Sequence, residues 1–357
     1  MTPAMTTEPT RAALAGEVLK ELARYLITPL DLGGLGSRLN PASFIVFIIV
    51  GLVVYAARRR RGEDAADSPL GFIFPRSAYL SRSSLMDIKV YLASSFVVFD
   101  KVGTRILTTS AVAAWVSAGL IGVFGAPEPA PLTGWRWALC LLAAAAAYDF
   151  GGYWLHRMSH ELPPLWAFHE VHHSAEGLTP LTVARIHPMH SFFGSLFIPL
   201  TVGPVLGVVY ALFGEQDAVA ITGVSMSYTI FNLAGANLRH SHIWLGYGPV
   251  LSRVFCSPAM HQIHHSVAPE HWNKNHAEIF SLWDWMFGTL YVPKARETLT
   301  FGVGRDAEGR VLQPHPTLKA ALIHPFLKAW ESIRAGVAAR LNRPRSAEAA
   351  PVLADAP

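Results

Sequence analysis

Cysteine and charge are both scarce in this chain. Its two cysteines, Cys140 and Cys256, are too few and too far apart to build a thiolate metal site or a disulfide framework. Charged residues make up 15% of the sequence against 51% hydrophobic. That balance is too apolar for an ordinary soluble protein of 357 residues and reads as an all-α, polytopic helical membrane protein. No Gly-rich dinucleotide fingerprint follows a strand-like run, and no ferredoxin-like cysteine array is present. Any electrons must therefore come from a separate protein. The formal charge of +4 is not gathered into an aromatic-interleaved basic patch, which argues against nucleic acid as a partner and for anionic lipid headgroups.

The first sustained apolar stretch begins near residue 41, well past the position of a cleavable signal core, so the protein is expected to stay whole in the membrane. Uncharged or nearly uncharged runs at 41–57, 106–125, 137–155, 191–213 and 218–236 make five candidate spans. The first ends on Arg58, Arg59, Arg60 and Arg61, a block that marks the cytoplasmic side. The turns GAPEPAPLTG from Gly125 and GEQD from Gly214 hold no Lys or Arg, whereas 58–105 carries nine and 237–357 thirteen. The basic segments are therefore expected on the cytoplasmic face of a bacterial inner membrane. Amphipathic helices are expected over 10–27 and 318–333. The chain divides into an N-terminal region (1–135), a catalytic domain (136–295), an interfacial helix region (296–334) and a disordered tail (335–357).

Histidine is missing before His156 and abundant after it: fourteen of the sixteen lie between His156 and His276. They form clusters HRMSH from His156, HEVHH from His169 and HQIHH from His261. Residues three and four apart share a helix face, so His156 with His160, His169 with His172 and His173, and His261 with His264 and His265 can each converge on a point. Neutral imidazole is the commonest protein metal ligand, and one four-coordinate metal uses at most four, so eight such rings indicate two metals. By the charge rule all three clusters fall at the cytoplasmic ends of spans, forming a helical cap there.

Beyond these clusters, YDFGGYWLHRMSHELPPLWAFHEVHHS from Tyr148 and SPAMHQIHHS followed by SLWDWMFGTLY up to Tyr291 resemble the fatty acid hydroxylase/sterol desaturase superfamily over about residues 140–292. The resemblance implies an integral membrane diiron enzyme. Metal ligands would be His156, His160, His169, His172, His173, His240, His261, His264 and His265, with His187 and His242 as further candidates. Where many relatives carry HPxE this chain has HPMH, with His190 in the acidic position. His276 likewise departs from the relatives' NYG. These extra rings could enlarge the metal shell or reshape its rim. His271, His315 and His324 read as ordinary surface residues.

Attack on an unactivated C–H bond needs an oxidant made from O2, hence a redox metal. Two irons meet that need; zinc does not, although overexpressed protein can carry zinc on the same imidazoles. Asp149 lies seven residues before His156 and eleven before His160, on one helix face, and is expected to orient a ligand imidazole through its second N–H; the alternative is an ion pair with Arg157 or Arg185. Glu170 and Asp284 are weaker candidates for that task. A site capping apolar helices is reached by a membrane lipid, so the reading is an O2-dependent lipid hydroxylase fed by a ferredoxin or a cytochrome with its reductase. Desaturation on the same site is one alternative. A transition-metal transporter or sensor is another, but it should place polar groups at the midplane of several spans.

Overall fold

The computed structural model describes residues 41–63, 68–97, 99–128, 131–214 and 217–341. The helix expected over 10–27 lies outside them. All regular structure in the described residues is helical, apart from two isolated antiparallel bridges, Ser266 with Phe301 and Arg305 with Val311. Among the described residues, four helices are long and apolar enough to cross a membrane: Pro41–Arg60 (α1), Val102–Phe124, Gly134–Glu161 and Pro188–Phe213. The second is interrupted at Leu107 and Thr108, and its main part is Thr109–Phe124 (α3), capped by the Thr108 hydroxyl accepting from the Ala111 N–H. The fifth expected span is a helix too, Asp217–Leu233 (α6), but its 17 residues make it shorter than the other four. Between α1 and α3 lies Arg82–Ser95 (α2), capped by Ser81.

Length explains where the site must stand. Gly134–Glu161 (α4) has 28 residues, about 42 Å at 1.5 Å per residue, against roughly 30 Å of bilayer hydrocarbon. Its last turns must leave the apolar layer, and these carry His156 and His160. After Leu162 the prolines Pro163 and Pro164 restart the chain as Pro163–His173 (α5), since proline is tolerated in a first turn, where no partner is needed for its missing N–H. Pro188–Phe213 (α7) then returns through the layer.

The packing supports a membrane setting. Residues such as Ile45, Val53, Trp115 and Ile230 lie exposed on the helices, while the charged pair Asp87 and Arg185 is fully buried. α3 and α7 touch through Gly203 and Gly207: a Cβ on either glycine would come within 2.6–2.7 Å of Val112 or Val116. Small residues four apart are what allow two membrane helices to approach this closely.

Leu318–Leu341 (α8) is longer than the interfacial helix expected over 318–333, and it carries helical structure past the tail boundary placed at 335. It lays Ala321 against Val171 and Ala329 against Phe168 of α5, while Ile323, Leu327 and Trp330 face outward. An amphipathic helix with an apolar outer face suits a membrane interface.

Candidate metal centre

Nine histidines from four parts of the chain come together in two groups. His156, His160, His169, His173 and His264 form one, and His172, His240, His261 and His265 the other; within each, the ligand atoms lie within 4.8 Å of one another. These are the nine residues singled out from the sequence. His156 and His160 come from the end of α4, and the HEVHH cluster from the last turn of α5. His261 and His264 lie on the short helix Pro258–His264, which Ser257 caps by accepting from the Met260 N–H. His240 follows the 3-10 turn Ala236–Leu238. Each HxxHH cluster divides between the groups, because adjacent residues on a helix point about 100° apart.

The donor geometry fits metal ions. In the second group, Nε2 of His240 lies 3.2 Å from Nε2 of His172 and 3.0 Å from Nε2 of His261, which is 3.3 Å from Nε2 of His265. Four nitrogens at about 2.1 Å around one tetrahedral ion would stand roughly 3.4 Å apart. In the first group, the buried Nε2 atoms of His160, His169, His173 and His264 have no hydrogen-bond partner. An unpaired buried nitrogen is costly, and four aimed together are satisfied by one cation. Burial first, and neighbouring imidazoles second, hold His169, His173, His261, His264 and His265 well below the usual imidazole range. They are therefore neutral at pH 7, the form that binds metal.

The orientation of these rings is set differently from expectation. Asp149 does not touch an imidazole: it accepts from the N–H groups of Ile279 and Phe280 and from Trp283 Nε1, each at 2.9 Å. Seven residues along a helix share a face but are separated by about 10.5 Å of rise, too far for a carboxylate to reach. What Asp149 holds is a loop. Asp284 holds the same loop, accepting from the N–H groups of His276 and Ala277. The carbonyls of that loop orient the ligands: Nδ1 of His156 donates to His276 O and Nδ1 of His264 to Lys274 O, both at 2.7 Å, which leaves Nε2 for the metal in each case. Asn273 and Asn275 take positive φ of 55° and 57°, a conformation asparagine tolerates better than most residues. The sequence reading missed these carbonyls, since backbone acceptors leave no mark in residue type.

Neither proposed ion pair of Asp149 forms: Arg157 bonds Glu161, and Arg185 bonds Asp87. Arg185 also donates to Val171 O and the Ser174 hydroxyl, so the C-terminal end of α5 is tied to α2. Glu170 accepts from Lys328 at 2.6 Å and His315 at 3.2 Å. Burial raises its carboxyl, but these two partners outweigh it and hold Glu170 below the usual carboxylate range.

Two further candidates lie outside both groups. His187 caps α7, with Nδ1 accepting from the Met189 N–H and Nε2 against Leu322 O. His242 turns its Nε2 to Phe72 O. His276 is fully buried beside the first group, its ring 5.1 Å from that of His160, and His190 stacks on His169 at 4.8 Å. His271 and His315 are buried, contrary to the surface reading; only His324 of those three is exposed. Histidine type alone does not separate a hydrogen-bonded core ring from a surface ring. Trp166 closes the outer wall, 5.0 Å from His160 and 5.5 Å from His173.

A cavity of about 460 Å³ reaches both groups, with His156 and His169 of the first and His172, His240 and His261 of the second on its wall. It continues between the apolar helices past Leu155, Ile198 and Pro199, a size and lining suited to an organic ligand.

Known proteins share this part of the chain. Alkylglycerol monooxygenase of Xenopus tropicalis is 31% identical over 46% of this chain and 32% of its own length. Ornithine lipid hydroxylase OlsE of Rhizobium tropici is 30% identical over 50% of each. Delta(7)-sterol 5(6)-desaturase erg3C of Aspergillus fumigatus is 24% identical over 45% of this chain and 51% of its own. The chain thus spans about a third to a half of the relatives' length. No solved structure matches it. The fatty acid hydroxylase family model matches residues 141–289, a segment that contains all nine grouped histidines, and these similarities support the fatty acid hydroxylase/sterol desaturase superfamily for that segment.

Proposed function

We propose that this protein is an O2-dependent lipid hydroxylase that holds two irons in its nine grouped histidines. The observation that carries the reading is that both groups border one cavity entered from among membrane-spanning helices. Relatives named as a monooxygenase and a lipid hydroxylase support oxygen insertion into a lipid C–H bond. Bound iron supplies the redox chemistry that zinc lacks. The neutral imidazoles keep the donor set uniform, and the Lys274 and His276 carbonyls hold two of the rings. Leu155, Ile198 and Pro199 offer an alkyl chain an apolar path that excludes water.

Forming an alcohol and water from a C–H bond and O2 consumes two electrons and two protons. A separate ferredoxin or cytochrome is assigned the electrons. The side of the membrane is part of the same proposal. Arg58 at the end of α1 stands over Phe72, whose carbonyl meets His242, so the arginine block and the histidine groups share one end of the bundle. That end is assigned to the cytoplasm of a bacterial inner membrane by the preference of basic residues for that side. Residues 136–295 are proposed as the catalytic unit, with α8 bracing it from outside.

The test is mass spectrometry of lipids treated with iron-loaded enzyme, an electron donor and 18O2. A product gaining one labelled oxygen is expected. A product lighter by two hydrogens and without label makes the protein a desaturase, and the absence of any O2-dependent product overturns the reading.

A further inference from the structure

The wall of the histidine-lined cavity carries a polar pair that belongs to neither histidine group. Tyr228 of α6 donates its hydroxyl to Glu278 Oε2, and both residues line the cavity together with five of the grouped histidines. Their placement is fixed from both sides. Glu278 stands between His276, whose carbonyl accepts from His156, and Ile279, whose N–H is held by Asp149. The Tyr228 ring packs edge-on against Tyr148, with centroids 5.2 Å apart.

A half-buried carboxylate beside an apolar channel is costly to keep there unless something hydrogen-bonds to it, and a path for hydrocarbon alone has no need of one. We propose that Glu278, supported by Tyr228, is the specificity-determining acceptor for a hydrogen-bond-donating headgroup, a hydroxyl or an N–H, on the lipid substrate. A carboxylate accepts about four hydrogen bonds, so it can take a ligand hydroxyl while still accepting from Tyr228. With the headgroup there, the first few carbons beyond it lie against the histidines, and the tail runs past Ile198 and Pro199. The favoured class is therefore a polar lipid with a free hydroxyl or amino-type group close to the oxidised carbon. A lipid whose headgroup only accepts hydrogen bonds presents oxygen to oxygen at Glu278 and is disfavoured.

This inference rests on the lipid-oxygenase reading, and the experiment separates the two. Purified iron-loaded protein in detergent is given an alkylglycerol or its di-O-methyl counterpart of equal chain length. Turnover and equilibrium binding, read by tryptophan fluorescence, are measured for the wild type, Glu278→Gln and Tyr228→Phe. A hydrogen bond to a charged group is usually strong enough for roughly tenfold discrimination or more. The wild type should therefore prefer the free alkylglycerol at least about tenfold in kcat/KM and in binding. Glu278→Gln should reduce the preference to about threefold or less, chiefly through KM, with Tyr228→Phe between, and both should retain the wild-type iron content. Equal handling of both lipids by the wild type, or an undiminished preference in Glu278→Gln, overturns the assignment of the acceptor while leaving the oxygenase intact. If neither lipid is oxidised, the oxygenase reading falls for this class, and the binding preference and its loss in Glu278→Gln still decide the role of the pair.

Discussion

Individual histidines divide by what their nitrogens face. Ligand candidates present nitrogens to one another, whereas His315 turns Nε2 to Glu170 and Nδ1 to Ala320 O, within the seat of α8 on α5. Replacing His173 or His265 by alanine, one at a time, should lower iron content and abolish turnover while the protein still inserts in the membrane; two retained irons with full turnover would defeat the assignment. His315→Ala should act in the opposite way. It removes one partner of a buried carboxylate, at a cost of about 1–3 kcal/mol, so thermal unfolding in detergent should move down while the iron content of folded protein stays near wild type. His324→Ala, at an exposed position, should shift neither. Equal behaviour of the His315 and His324 variants would mean that the Glu170 contact contributes nothing.

Helix by helix, the site depends on close approach and on bracing. α5 carries three of the nine grouped histidines, His169, His172 and His173, and it is tied to α2 through Arg185 and to α8 through Glu170. Burial raises the Asp87 carboxyl to about 6 even beside Arg185; losing either member of such a pair typically costs about 3–5 kcal/mol. The α3–α7 contact is a packing constraint of another kind. A Cβ on Gly207 would stand 2.7 Å from Val116 Cβ and 2.9 Å from Ala113 O, and backbone cannot rotate away. Gly207→Leu should therefore separate the helices and destabilise the protein by about 1–3 kcal/mol or more, read as a lower unfolding temperature in detergent. Gly119→Leu, where nothing lies within 4 Å, should be near neutral, and a similar loss in both would remove the close approach as the cause.

At the scale of the molecule, the arrangement makes a one-sided protein, with a basic end that holds the histidines and a far end of short turns poor in basic residues. In a background lacking Cys140 and Cys256, a cysteine at Glu128 should react with an impermeant maleimide from outside the cytoplasm, and one at Glu63 or Ala268 should not. Labelling of position 268 from outside would place the metal groups on the other face and overturn the orientation.

Helical class, membrane character and eight of the nine grouped histidines were legible in the sequence from local properties: apolar runs, residue type, and three-and-four spacing that survives any packing of intact helices. His240 stands outside such a cluster and was reached only through the family resemblance. The pairing of those histidines was not local. His172 and His173 adjoin in sequence yet serve different groups, and His240 joins His261 only because a turn after α6 brings them together. Asp149 shows the same limit, since a shared helix face could be read from spacing but the 10 Å of rise along it, and the loop that fills the gap, appear only when three segments pack. Buried His315 and the Tyr228–Glu278 pair belong with it, because burial and cross-chain hydrogen bonds are properties of the assembled bundle. Tertiary structure decided which atoms meet, because metal coordination and lipid recognition act over a few ångströms, and segments distant in sequence come that close only in the folded chain.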